Sequence, residues 1–87
     1  MDKDKTISLK KQIEVTDLAG EKVMIDFESG KYFLIKGVGN DIWDYLQQET
    51  SAAEIVDKLL EEYDVTREVC EEQVLAFLGK MEQYGFI

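Results

Sequence analysis

The first third of the chain alternates between apolar and polar residues. From Ile7 the odd positions are mainly apolar and the even positions polar, up to Thr16, which is the period of a β-strand with one buried face. Residues 17–20 indicate a turn, and two further strands are predicted over residues 23–27 and 32–35. The third strand is apolar on both faces, unlike an ordinary strand of a half-exposed antiparallel sheet.

The loop between the second and third strands determines their register. A three-residue loop over residues 28–30 pairs Ile25 with Phe33 and gathers most large apolar side chains on one face, whereas a two-residue loop splits them. We therefore predict the three-residue loop. The apolar residues that this register leaves on the outer face are Met24, Tyr32 and Leu34. They are ordinary surface residues, residues covered by the N-terminal strand, or part of a partner-binding surface.

The third strand is expected at the edge of the sheet if the strands are arranged in sequence order. Residues 32–35 contain no proline and no charge, and only Lys31 and Lys36 stand at the ends. Soluble proteins usually block an edge of this kind. An unblocked edge suits the addition of a partner strand, in which main-chain hydrogen bonds provide affinity and alternate side chains provide specificity.

The second part of the chain has the apolar spacing of three helices. Asn40 is the expected N-cap of the first helix, Ser51 begins a capping box before the second, and Thr66 is the N-cap of the third. Three strands followed by three helices predict an α+β fold, with a short joint like that of a helix-turn-helix. We expect a flexible N-terminus over residues 1–6 and a single winged helix-turn-helix-like domain over residues 7–87.

The last helix has a wider apolar stripe than one packing contact requires. At about 100° per residue, the predicted core stripe consists of Cys70, Val74, Phe77, Met81 and Tyr84. Leu78 lies at its margin, and Leu75 lies well outside it, on the side of Glu71. Either the helix packs against two neighbours, or Leu75, Leu78 and Glu71 line a groove with the third strand.

The charge of the chain divides where the apolar pattern changes. Residues 1–36 hold seven basic and seven acidic residues, whereas residues 37–87 hold three basic and twelve acidic ones, which accounts for the net charge of -9. Such an acidic chain argues against general nucleic-acid binding. No apolar run reaches the length of a bilayer span, and a single cysteine fits a reducing compartment. We expect a soluble, cytoplasmic protein without a membrane partner.

The residues that usually perform catalysis are missing. The chain has no histidine, and its one cysteine, Cys70, falls on the predicted core stripe, so neither a nucleophilic triad nor a transition-metal site is expected. The glycines of residues 37–40 lack the lysine and hydroxyl residue of a phosphate loop. We therefore expect no catalytic residues, no metal and no cofactor, and a protein that is not an enzyme.

Other binding functions stay open at this point. An acidic acyl or peptidyl carrier protein would fit the size and charge, but its attachment serine should lie in an Asp-Ser-Leu-like segment, and Ser51 lies in Thr-Ser-Ala. A winged-helix DNA binder would present residues 66–72, where one arginine stands against three glutamates that repel phosphate. A winged-helix protein-interaction module is a third possibility.

Several segments resemble PqqD-like proteins in their order and spacing. Residues 26–35 are similar to the strand-hairpin-strand of that family, and residues 39–46, with their Ile-Trp pair, to the helix that follows. The second and last helices, with the C-terminal ending, are matched by residues 55–65, 74–78 and 85–87. The likeness covers roughly residues 13–87.

This resemblance implies a recognition element for ribosomally synthesised, post-translationally modified peptides (RiPPs). Such proteins bind the leader of a precursor peptide, typically as a strand added to the third strand beside the last helix, and present the core to a modifying enzyme. By position, the implied peptide-binding residues are Tyr32, Phe33, Leu34 and Ile35, with Glu71, Leu75 and Leu78 opposite.

The size of the chain is similar to that of two kinds of free-standing member. One kind serves lasso-peptide pathways with a separate leader peptidase, and the other is the chaperone of the quinone-cofactor pathway, which serves a radical enzyme. We favour the lasso type. The acidic helices would favour a leader that carries lysines or arginines.

Overall fold

The predicted α+β fold is confirmed, since the structure contains a three-stranded antiparallel sheet followed by three helices. It is a computed structural model that describes residues 3–10, 14–26 and 29–87. The sheet has the order β2 (Glu14–Leu18), β3 (Glu21–Asp26) and β4 (Lys31–Ile35). The helices are α1 (Val38–Tyr45), α2 (Ala52–Glu62) and α3 (Arg67–Gln83). Two short strands, β1 (Thr6–Ile7) and β5 (Thr50–Ser51), form a separate antiparallel pair.

The N-terminal alternation forms two strands where the sequence predicts one. Thr6 and Ile7 pair with β5, which directly precedes α2, and the later part of the alternation forms β2 beside β3. The described apolar positions still face inward, because Ile7 is buried and Leu9 and Val15 pack against the core. The Lys3 carbonyl accepts a hydrogen bond from the Ala53 amide at 3.0 Å, so the described part of the N-terminal segment contacts the domain. Its flexibility stays a prediction.

The turn between β2 and β3 is a two-residue hairpin. Leu18 pairs with Glu21, which leaves Ala19 and Gly20 as the turn residues with φ of 51° and 85°. Positive φ at both central positions is the conformation that suits the twist of a hairpin. The strand therefore extends two residues into the segment that the sequence assigns to the turn.

The register of β3 and β4 differs by one residue from the predicted one. Met24 pairs with Phe33, so the prediction that Ile25 pairs with Phe33 is wrong. A one-residue shift moves side chains to the opposite face, and Met24, expected on the outside, is fully buried. Tyr32 and Leu34 are 77% and 50% exposed, as expected for the outer face. Strand β3 ends at Asp26 and β4 begins at Lys31, and residues 27 and 28, which come between them, lie outside the described residues.

Two of the three predicted helix caps are confirmed. The hydroxyl of Ser51 accepts the Glu54 amide at 3.2 Å, and that of Thr66 accepts the Val69 amide at 3.3 Å. Asn40 is not a cap, since α1 begins earlier, after Gly37. The Asn40 side-chain amide donates instead to the Gly20 carbonyl at 2.9 Å and so ties α1 to the first hairpin.

The core lies between the sheet, α1, α2 and one face of α3. The residues of α3 that are buried there are Cys70, Val74, Leu78 and Met81. Leu78 is fully buried and Phe77 is only partly buried, so the centre of the stripe is displaced from the predicted one. The C-terminus closes this core, because Phe86 is buried and its amide donates to the Met81 carbonyl at 2.9 Å. No described helix has the length and hydropathy needed to cross a membrane.

Candidate functional site

An open groove of about 590 Å³ lies between the edge strand β4 and helix α3. Its described lining residues are Tyr32, Phe33, Leu34, Ile35, Lys36, Val38, Gly39, Ile42, Gln73, Ala76, Phe77, Lys80, Met81 and Tyr84. Most of these residues are apolar. The groove is therefore a mainly apolar trough with one strand as a wall, a shape that suits an extended peptide.

The strand wall of the groove is β4, whose position at the sheet edge the sequence predicts correctly. In the described sheet, β4 is hydrogen-bonded to β3 on one side only, so the other side presents main-chain groups to the groove. The predicted peptide-binding residues of this strand, Tyr32, Phe33, Leu34 and Ile35, all line the groove. An unpaired edge beside an apolar trough can accept another strand by main-chain hydrogen bonding.

The helix wall is formed by a different face of α3 from the one expected. The residues that line it follow helical spacing and are Gln73, Ala76, Phe77, Lys80, Met81 and Tyr84. Glu71, Leu75 and Leu78 are absent from this wall. The carboxylate of Glu71 lies 3.4 Å from the Lys3 ammonium group, Leu75 packs against the core, and Leu78 is fully buried.

This difference shows what the helical period can and cannot indicate. The period correctly identifies an unusually wide apolar stripe on α3, but it does not show where the stripe passes from core to groove. Phe77, which the sequence places in the core, lines the groove instead. Its side chain is only partly buried, so it has surface left for a ligand.

The floor of the groove is the start of helix α1, where Gly39 allows α1 to lie close to both β4 and α3. A Cβ atom at this position would lie 3.0 Å from Ile35 Cγ2 and 3.2 Å from Phe77 Cε2, both closer than ordinary van der Waals contact. Glycine is therefore the residue that lets α1 approach β4 and α3 together. The sequence shows this residue only as part of a glycine-containing break before a helix.

Three aromatic rings meet near the C-terminal end of α3. The ring centroid of Phe33 lies 4.5 Å from that of Tyr84 and 5.4 Å from that of Phe86. These separations are those of favourable aromatic contacts. The cluster connects the strand wall to the helix wall and to the buried C-terminus, so it fixes the width of the groove at this end.

The cysteine and the candidate attachment serine are withdrawn from solvent. The Cys70 thiol is buried, and burial raises its pKa, which opposes formation of the reactive thiolate. Ser51, the candidate attachment site of a carrier protein, is buried and occupied as a helix cap. Among the described residues, no cluster of three or more potential metal-ligating side chains occurs. The described groove can offer shape, hydrogen bonds and charge to a ligand.

Comparison with known proteins relates this groove to a peptide-binding family. Residues 21–87 match the model of the family described as coenzyme PQQ synthesis protein D (PqqD). A solved structure described as TbiB1 in complex with the TbiA(beta) leader peptide is similar to this chain with a TM-score of 0.81 and 26% sequence identity. The similarity covers 92% of this chain and 93% of that one. A search of curated proteins gave no match.

Proposed function

Because the chain belongs to the PqqD family, we propose that it is a non-catalytic adaptor for a ribosomally synthesised precursor peptide. It binds the leader segment of the precursor and presents the peptide to a modifying enzyme or a leader peptidase. The observation that carries this proposal is the unpaired edge of β4 beside the apolar groove. The similarity to a protein whose structure was determined with a leader peptide supports it.

The leader binds as an additional strand beside β4. Main-chain hydrogen bonds to the free edge supply affinity that depends little on sequence, and the side chains on one face of the added strand enter the groove. Phe77 and Val38 line the groove and are only partly buried, so they offer apolar surface there, and Gly39 lets α1 lie close beneath them. Large apolar leader residues at alternate positions are therefore the expected recognition elements, because strand side chains alternate between faces.

Within this proposal we favour an adaptor of the lasso-peptide type, which works with a separate leader peptidase. The similarity to TbiB1 in complex with a leader peptide, over nearly the full length of both chains, supports a free-standing leader-binding element. The adaptor needs no cofactor or metal, since its role is to bind and present. It works in the cytoplasm, for which an unpaired buried cysteine is well suited. The carrier-protein alternative loses support because Ser51 is buried and caps α2.

A titration of the purified protein with a labelled leader tests the proposal. The probe is the leader of a precursor peptide encoded beside the gene for this chain, and fluorescence anisotropy follows its binding. We expect saturable binding that the unlabelled leader competes away and that the core segment alone does not. Absence of saturable binding to every such leader would remove the proposal.

A matched pair of proline substitutions tests strand addition. In an antiparallel sheet, paired residues alternate in hydrogen-bonding orientation, so the register gives Leu34 and Asp17 the same orientation on opposite edges. Leu34→Pro should abolish leader binding by distorting the β4 edge, whereas Asp17→Pro should leave binding intact. Circular dichroism and thermal unfolding establish that each variant is folded. Full binding by a folded Leu34→Pro protein would contradict strand addition.

A further inference from the structure

The charge of the groove is opposite to that of the protein. The chain as a whole carries a net charge of -9, but the described lining residues of the groove include two lysines and no acidic residue. Lys36 stands at the end of the β4 wall, and Lys80 stands on the α3 wall. A peptide strand lying between the walls would thus have an ammonium group on each side.

These two lysines differ from several other basic residues of the protein, which have acidic partners. Lys22 lies 3.3 Å from a carboxylate oxygen of Asp17, and Arg67 lies 3.0 Å from one of Asp57. Within the part of the chain that the structure describes, Lys36 and Lys80 form no ion pair. Their charge is therefore available to a ligand in the groove.

We propose that the leader segment bound in the groove carries an acidic residue that Lys36 and Lys80 select. This inference rests on the proposed peptide-binding function and specifies the chemistry of the bound segment. An aspartate or glutamate on the added strand gains a favourable interaction with both walls. A lysine or arginine at that position is disfavoured by like charges, and such repulsion is an effective source of specificity.

The same charge distribution determines which part of a leader could favourably carry basic residues. The expected preference for lysines and arginines arises from acidic residues of the helices, none of which is among the described residues that line the groove. Basic leader residues would therefore be favoured outside the bound strand, where the field of the whole protein acts on them. The bound segment itself follows the local charge, because screening weakens the influence of more distant groups.

A selection from yeast-displayed short random peptides tests the inference separately from the function. The folded wild-type protein is the bait, and the sequences of retained peptides are compared with the unselected library. We expect retained peptides that combine apolar residues with an enriched aspartate or glutamate. Recovery of peptides that compete for the groove without any acidic enrichment would overturn the inference and leave the peptide-binding function intact. Recovery of no binding peptide would count against both.

Charge-neutralising variants then identify the groups responsible. Against one acidic peptide from the selection, Lys36→Gln and Lys80→Gln should each weaken binding by about two- to fivefold, the range for partly exposed ion pairs. Lys58→Gln changes the net charge equally, but its ammonium group lies over the Tyr45 ring, 5.2 Å from the centroid and away from the groove, so binding should be unchanged. Replacing the acidic peptide residue by its amide should remove the difference between wild type and both groove variants. Equal losses in all three lysine variants would overturn the assignment, since only net charge would then matter.

Discussion

Helix α3 has two faces in different surroundings. One face carries Val74 and Leu78, which are fully buried against the rest of the domain. The other carries Phe77 and Lys80 and faces the groove beside β4. Both faces belong to the same 17-residue helix, and Phe77 and Leu78 are neighbours in sequence. Apolar character alone therefore does not separate the core from the groove, because the arrangement of neighbouring elements decides which face is covered.

The difference between the faces has an energetic basis. A buried apolar side chain is already removed from water and contributes to folding, at roughly 25 cal/mol per Å² of apolar surface. A partly exposed one still has surface to bury when a ligand arrives. The closed face should therefore determine stability, and the open face should determine affinity. Substitutions that separate these two effects test the comparison directly.

The largest effect is expected from alanine substitutions of the two adjacent residues. Leu78→Ala should lower the free energy of unfolding by about 2–5 kcal/mol, the range for buried leucines, while the folded protein keeps its affinity for the leader. Phe77→Ala should lower stability less and weaken leader binding by roughly tenfold or more, as expected for an aromatic residue in a groove. Urea denaturation and fluorescence anisotropy provide the two measurements.

The result that would break this comparison is the reverse pattern. If Phe77→Ala destabilises the protein as much as Leu78→Ala and leaves the affinity unchanged, the helix face that carries Phe77 acts as core. Binding must be measured on the folded fraction of each variant, which the urea curves provide.

A smaller effect is expected from two glycine-to-alanine substitutions in helices. At Gly79, on α3, a Cβ atom would meet nothing within 4 Å, so Gly79→Ala should stabilise the protein by about 0.5–1 kcal/mol through backbone entropy. At Gly39 the new methyl group presses on Ile35 and Phe77. Gly39→Ala should therefore lose most of this gain and weaken leader binding. Thermal unfolding and leader titration compare the pair, and equal stabilisation without any loss of affinity would show that Gly39 does not shape the groove.

The smallest effect on stability is expected at Cys70, whose reactivity measures how often the buried face of α3 is exposed to solvent. Because the thiol is buried, iodoacetamide should label it slowly in the native protein and rapidly in denaturant. Burial raises the pKa of the Cys70 thiol in the folded protein above its ordinary value, which applies to the unfolded chain. Below the ordinary pKa the thiol is neutral in both states, and its burial contributes fully to the free energy of unfolding. This contribution is lost as the pH rises through the ordinary pKa towards the folded one.

Measurement of unfolding free energy against pH checks this sign. Between neutral and alkaline pH, the wild type should lose more stability than Cys70→Ala, which has no thiol to ionise. Rapid native labelling, or identical pH dependence of the two proteins, would show that the buried face opens to solvent.

Local patterns predicted much of the fold. The caps at Ser51 and Thr66 follow from short-range hydrogen bonding within a few residues, and both are present. The position of the third strand at the sheet edge follows from consecutive strands pairing in order, and it is confirmed. The four groove residues that were predicted on this strand lie where the sequence indicated, and their role in peptide binding stays a prediction.

Two predictions from the sequence that were wrong are the register of β3 and β4 and the face of α3 that lines the groove. In both, neighbouring residues are apolar, so the local pattern fits more than one arrangement. The register of β3 and β4 was wrong by one residue because Met24, Val23 and Ile25 are all plausible core residues. Burial of Met24 opposite Phe33 decides between them, and this depends on the helices packed beneath the sheet. The helix wall of the groove differs for a similar reason, since Leu78 and Phe77 are both apolar and lie about 100° apart on a broad apolar stripe, so the helical period alone does not show which of them is covered.

Local sequence patterns indicated a three-stranded sheet followed by three helices, an unguarded edge on the third strand, and more apolar surface on the last helix than one contact uses. These properties depend on interactions between residues close in the chain. Local patterns did not indicate the short β1–β5 pair. Only the tertiary structure decided that Leu78 closes the core while Phe77 and the two lysines face the groove. That choice depends on how β4, α1 and the C-terminus meet around α3, because side chains one residue apart lie about 100° apart around a helix and neighbouring elements decide which of them is covered.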